Sequence, residues 1–272
     1  MQVVADDPTF SAAVARHRSV LEQQPARHNL ILGFLTRVPH LPVEDVRFWS
    51  FETPGSCALQ IGEGSIVLGE LTRDDEAVLA ALVAALPFHV IIGLEDNTLR
   101  LVKRCEDLGM VFEDSQTLAI LELDRPPRFP GSPGGARLVG AEDDTVFSAF
   151  MTAFLREAAP HDPVPSAERI ASDARSGRYL FWTVDDVPVS MAGKVRETAT
   201  VGAISGVYTP PERRGRGYAG SVTAALCERL FAEGKCVVCL FADLANPYSC
   251  RCYSKIGFER VCTSRHCFRK QT

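Results

Sequence analysis

VGAISGVYTPPERRGRGYAG, Val201 to Gly220, is the stretch on which the reading of this chain turns. An apolar strand runs to Tyr208 and stops at Pro210-Pro211, where neither residue can donate to a ladder. Arg213-Arg214-Gly215-Arg216-Gly217 then opens a helix whose apolar stripe is Ala219, Val222, Leu226 and Leu230. Glycines at a strand-to-helix junction leave backbone N–H groups bare, and the helix N-terminus adds partial positive charge. The expected result is an anion site suited to phosphate or pyrophosphate, with arginine charge beside it. The plain alternative is a tight turn carrying solvated arginines. The stretch lacks the Lys-Ser/Thr ending of a P-loop and the third glycine of a dinucleotide fingerprint. Gly202 and Gly206, inside the apolar strand, mark a bulge or a close backbone approach.

Downstream, Asn246-Pro247 has the chemistry of a helix start: Asn caps and Pro suits the first helical position. Tyr253 follows two turns later and projects from nearly the same face as Asn246. Gly257 ends that helix, and Phe258 to Phe268 reads as a strand.

Upstream, the clearest break is Asp124 to Ala136, DRPPRFPGSPGGA, with four Pro and three Gly. It reads as a linker or exposed crossover over residues 125–135, between domains at 1–124 and 136–272. Each half carries the same order of elements: two helices or a strand and two helices, three strands, helix, strand, helix, strand. In the first half the helices are expected at 8–24 and 27–37, and the last strand at 117–123. In the second half Asp185-Asp186 is expected as a hairpin turn. The order predicts an α/β (α+β) fold in which each half is a mixed central sheet flanked by helices.

These features resemble the GNAT N-acetyltransferase superfamily, and most of all a two-domain bacterial subgroup related to glycine N-acyltransferase-like proteins. In that family a loop Gln/Arg-x-x-Gly-x-Gly/Ala joins a strand to a long helix and holds acetyl-CoA. Here the stretch is Glu212-Arg213-Arg214-Gly215-Arg216-Gly217, with Glu departing at the first position. The resemblance covers about residues 136–270 and implies tandem GNAT-like domains, of which the first has lost its loop. It implies cofactor contacts at Arg213, Arg214, Gly215, Arg216, Gly217 and Tyr218, backbone contacts to pantetheine from Ser205, Gly206 and Val207, and a contact from Asn246. The strand carrying Ser205 is expected to splay from its neighbour to admit the pantetheine. It implies direct attack of an amine on the thioester, with Tyr253 protonating the departing thiolate. A phenol near pKa 10 can protonate a thiolate whose thiol has pKa about 8–9 without large tuning. Packing at the Ile256 and Phe258 corner is the other role open to Tyr253, and simple helix capping the other role open to Asn246. No carboxylate lies on the strand from Thr200 to Tyr208, so the general base falls to Asp243, with Glu157, His161 and a water chain as alternatives. The expected function is acetyl-CoA-dependent N-acetylation of a primary amine on a small molecule, an amino acid or a protein. A non-catalytic acyl-CoA sensor is the rival. The acceptor is not legible, and the oligomeric state, a homodimer included, stays open.

Composition narrows the classes. With 46% hydrophobic and 23% charged residues the chain is neither disordered nor fibrous. Its net charge of −5 argues against nucleic acid as a bulk partner. The halves differ, with 9 basic and 19 acidic groups in residues 1–124 against 20 and 15 in residues 125–272, so an anionic ligand suits the second half. The start lacks the basic and apolar regions of a secretory signal, and no run is long enough for a membrane helix, which predicts a cytoplasmic protein without membrane contact. Nine cysteines, seven of them between Cys227 and Cys267, read as reduced thiols. Zinc is not expected: Cys236 and Cys239 point to opposite faces of a strand, and Cys250 and Cys252 share no helix face. In the first half, Gly69-Glu70-Leu71-Thr72-Arg73-Asp74 stands where the glycine loop would be, and its acidity would repel pyrophosphate. Gly62-Glu63-Gly64 reads as a hairpin turn.

Overall fold

The computed structural model describes residues 2–3, 10–42, 45–161 and 164–270. The chain forms two compact units: Met1–Ile120 together with Val261–Thr272, and Leu121–Arg260. This division differs from the sequence expectation at the C-terminus. The last strand was expected with the second half, but its residues Ser264–Phe268 pair with a strand of the first. Such pairing joins positions far apart in the chain, and no local pattern announces it.

The first unit contains β1 (Gln2–Val3), α1 (Phe10–Leu21), α2 (Asn29–Leu35), β2 (Val46–Ser50), β3 (Cys57–Ile61), β4 (Ser65–Leu68), α3 (Arg73–Val83), β5 (Val90–Leu94), α4 (Glu95–Asp107) and β6 (Phe112–Leu123). Residues 8 and 9 of the first expected helix lie outside the described residues. β2, β3 and β4 are antiparallel neighbours, while β4 and β5 are parallel. A parallel pair needs a crossover, and α3 supplies it. Alternation along the strands builds two cores. Phe48 and Leu59 pack with Leu21, Ile31, Leu32 and Leu35 under α1 and α2, whereas Trp49, Ala58 and Ile91 pack with Leu79, Val83 and Leu101 under α3 and α4. Thr72 caps α3 by accepting from Asp75 N–H, ahead of an acidic first turn.

The second unit contains β7 (Gly135–Leu138), α5 (Asp144–Ala158), α6 (Ala167–Ala174), β8 (Tyr179–Val184), β9 (Val187–Val195), β10 (Val201–Tyr208), α7 (Tyr218–Ala232), β11 (Val237–Asp243) and α8 (Pro247–Ile256); β12 (Glu259–Arg269) follows. The order β7-β8-β9-β10-β11 is antiparallel until the parallel pair β10–β11, joined through α7. Asp185 and Asp186, at φ +48° and +62°, make the two-residue β8–β9 turn. α5 and α6 bury Phe147, Met151 and Ile170 against Tyr179, Phe181 and Met191 on one face of the sheet. On α7, Val222, Leu226 and Leu230 are fully buried. A Cβ at Gly202 would sit 2.7 Å from Leu230 Cδ2, so this glycine admits the close approach of α7.

The Pro/Gly-rich segment is a strap tied down by hydrogen bonds and an ion pair. Arg128 N–H donates to Ile256 O at 2.9 Å, Trp182 Nε1 donates to Pro133 O at 3.0 Å, and Arg125 pairs with Glu259. Four prolines hold it extended, and these contacts pin it along its length.

Candidate functional site

The loop between β10 and α7 is built by φ angles that ordinary side chains resist. Gly215 stands at φ +76° and Gly217, the residue capping α7, at φ +82°. Both are exposed, and a Cβ at Gly215 would meet no atom within 4 Å, so that face of the loop is open. The turn before it is rigid. Arg213 N–H donates to Pro210 O, and Arg214 Nε donates to Thr209 O at 2.9 Å. Thr209 is held in turn by Ser190, whose hydroxyl lies 2.8 Å from Thr209 Oγ1 and 2.9 Å from Tyr208 O.

The three arginines therefore differ. Arg214 lies over the Tyr208 ring and pairs with Glu157 at 2.6 Å, so it braces the loop. Arg216 is exposed and Arg213 half-exposed beside the bare turn. Glu157, an alternative base in the sequence reading, is the carboxylate engaged by Arg214. Tyr218 is buried, which leaves its backbone as the part that faces the loop.

Next to the loop, two parallel strands part. β10 and β11 pair from Val201↔Val237 to Ile204↔Leu240, and both then run on, to Tyr208 and Asp243. Gly206 at φ +65° lies at the irregularity that shifts β10 against β9 between Ser205 and Tyr208. A bulge bends a strand and withdraws its backbone groups from the ladder. Ser205, Gly206 and Val207 thus sit past the last β10–β11 pair, on the segment where a ligand's amides could find backbone partners.

α8 closes the other side and packs against α7 and β11. Asn246 caps it, its Oδ1 accepting from Ser249 N–H at 3.3 Å. Asp243 ends β11, and its Oδ1 accepts from Ala245 N–H at 2.8 Å. Tyr253 is buried, edge-on to Phe258 with ring centroids 6.0 Å apart. Burial pushes its phenol above the ordinary range, and the neighbouring thiols Cys252, Cys250 and Cys227 act in the same direction. The group stays protonated through neutral and mildly alkaline pH, and the same shift makes it a weaker acid toward a thiolate. Both expected roles of Tyr253, packing and donation, are compatible with this position.

Among the described residues no three His, Cys, Asp or Glu side chains gather as a metal site. Cys227 and Cys239 are buried and Cys236 is exposed. No helix is long and apolar enough to cross a membrane, among those described.

The matching place in the first unit, after β4, is acidic and carries no glycine loop. Glu70 follows β4, and its carboxylate lies 3.2 Å from Arg27 Nε and 3.3 Å from His28 Nε2. Asn97 Nδ2 donates to Gly69 O at 3.1 Å and ties the start of α4 to the end of β4.

Residues 184–268 match the family described as FR47-like protein. A 64-residue stretch, 24% of the chain, is 34% identical to mycothiol acetyltransferase of Kocuria rhizophila, and the match spans about a fifth (21%) of that protein's length. A GCN5-related N-acetyltransferase of Sphaerobacter thermophilus aligns over 99% of this chain and 95% of its own, with TM-score 0.63 and 18% identity. A tandem GNAT protein from the clavulanic acid biosynthesis pathway aligns over 99% and 96%, with TM-score 0.59 and 13% identity. These two structures establish the fold.

Proposed function

We propose that this chain is a member of the GNAT superfamily and transfers an acetyl group from acetyl-CoA to a primary amine in its second unit. The observation that carries this reading is the pairing of two left-handed glycines at the mouth of α7 with the parting of β10 from β11 beside them. The first suits a pyrophosphate and the second an amide-bearing arm, and the two together describe an acyl-CoA. The N–H groups of Gly215, Gly217 and Tyr218 cradle the pyrophosphate, with Arg213 and Arg216 supplying charge. Ser205 to Val207 align the pantetheine, and Asn246 meets it from α8. The amine attacks the thioester carbonyl, the C–S bond breaks, and Tyr253 gives its proton to the thiolate. Asp243, at the end of β11, receives the proton that the amine loses. The first unit, with an acidic stretch in place of the glycine loop, is a degenerate copy that binds no acyl-CoA.

The test is calorimetric titration with acetyl-CoA of the wild type and of a Gly215→Glu/Gly217→Glu variant. Two side chains forced into the left-handed region and two carboxylates facing phosphate should weaken binding about 100-fold or more. A wild type that does not bind acetyl-CoA sinks the proposal. Binding without thiol release across an amine panel, and unaltered by Asp243→Asn, favours the sensor, for which the absence of a carboxylate on β10 speaks.

A further inference from the structure

Ser132 lies in the strap, 84 residues before the loop in sequence. Its hydroxyl donates to Arg216 O at 2.8 Å. The peptide joining Arg216 to Gly217 is trans, as are all others among the described residues. In a planar trans peptide the C=O and the N–H point in opposite directions. Holding Arg216 C=O toward the strap therefore turns Gly217 N–H away from it. Gly217 is crowded on the strap side, where a Cβ would lie 2.6 Å from Ser132 Oγ. One turn into α7, Gly220 lies beneath the Phe129 ring, with a Cβ position only 2.4 Å from Phe129 Cζ. The strap thus seats on α7 through Phe129 and reaches the loop through Ser132.

We propose that Ser132 is a positioning residue for the anion cradle: by anchoring the Arg216 carbonyl it presets Gly217 N–H toward the incoming pyrophosphate. The proposal rests on the reading of this loop as an acyl-CoA site. Without the anchor, a peptide that ends on Gly217, whose φ is little restrained, is freer to rotate, and the N–H must be reoriented on each binding event. A preset donor avoids that ordering cost.

The experiment titrates acetyl-CoA, and separately S-acetylpantetheine, which lacks the pyrophosphate, into the wild type, Ser132→Ala and Ser132→Thr. Losing one such hydrogen bond should weaken acetyl-CoA about 3- to 10-fold in Ser132→Ala. Ser132→Thr, which keeps the hydroxyl, should restore most of the affinity, and S-acetylpantetheine should bind all three proteins alike. Equal binding of acetyl-CoA by the wild type and Ser132→Ala overturns the proposal and leaves the acyl-CoA reading standing. An equal loss for both ligands in Ser132→Ala overturns it as well, because the serine then supports the unit at large. A wild type that binds no acetyl-CoA overturns the functional reading and this inference with it.

Discussion

Tyr253 shows what a single residue decides. Its ring is packed against Phe258, and burial raises its phenol pKa. Tyr253→Phe keeps the ring and removes only the hydroxyl. If the phenol donates to the thiolate, kcat should fall by about 100-fold or more while acetyl-CoA affinity stays within about 2-fold. Because the group works protonated and its pKa is raised, kcat should show no alkaline fall from this residue up to about pH 9. Steady-state kinetics against pH on both proteins checks this, and a kcat unchanged in Tyr253→Phe reduces the residue to packing. Asn246-Pro247 and Gly257 were legible because capping chemistry is local: the side chain that ends or starts a helix sits at the end itself. Ser132 was not legible. A serine inside a Pro/Gly run has no pattern, and its partner carbonyl lies 84 positions away.

At the scale of elements, periodicity placed α7, α8 and the β8–β9 hairpin within a residue or two, because each buries a regular stripe or turns on two left-handed residues. β6 begins at Phe112, five residues before the expected strand. Its first half, Glu113-Asp114-Ser115, is exposed and polar, so alternation there is silent. Prolines and glycines mark the strap as a break between elements, and a chain held extended needs few contacts to be ordered. Its seat on α7 is testable. Gly→Ala inside a helix normally stabilises by roughly 0.5–1 kcal/mol. At Gly220 the new methyl would meet the Phe129 ring, so Gly220→Ala should instead destabilise by about 1–2 kcal/mol. In a Phe129→Ala background the same change should become neutral or stabilising. Urea denaturation of the four proteins of this cycle measures the coupling, and additive effects would show that the ring does not rest on the helix.

For the whole molecule, the two units repeat one order of elements but meet acid differently. In the first, His17 is fully buried between α1 and the β2–β3 turn. Its Nδ1 accepts from Gly55 N–H at 3.1 Å, which leaves the proton on Nε2, 2.8 Å from Ser50 Oγ. Charging the ring would sacrifice the Gly55 bond. Burial, with the Arg16 charge second and Asp75 opposing, lowers the His17 pKa from 6.5 to about 4. The unfolded chain thus binds a proton at about pH 6.5 that the folded chain refuses until about pH 4. Stability from this group is complete above pH 6.5 and drains away as pH falls toward 4, by up to about 3 kcal/mol. His28 is held low in the same way, chiefly by burial, although Glu70 opposes the shift. The second unit's one described histidine, His161, is not buried. Acid should therefore open the first unit first, and unfolding followed by amide exchange should lose protection in β2 and β3 before β9 and β10 between pH 6.5 and 5. The His17→Gln variant, less stable at pH 7.5, should show a shallower pH dependence than the wild type over that interval. Equal slopes for the two proteins would mean that His17 is not the group that the acid titrates.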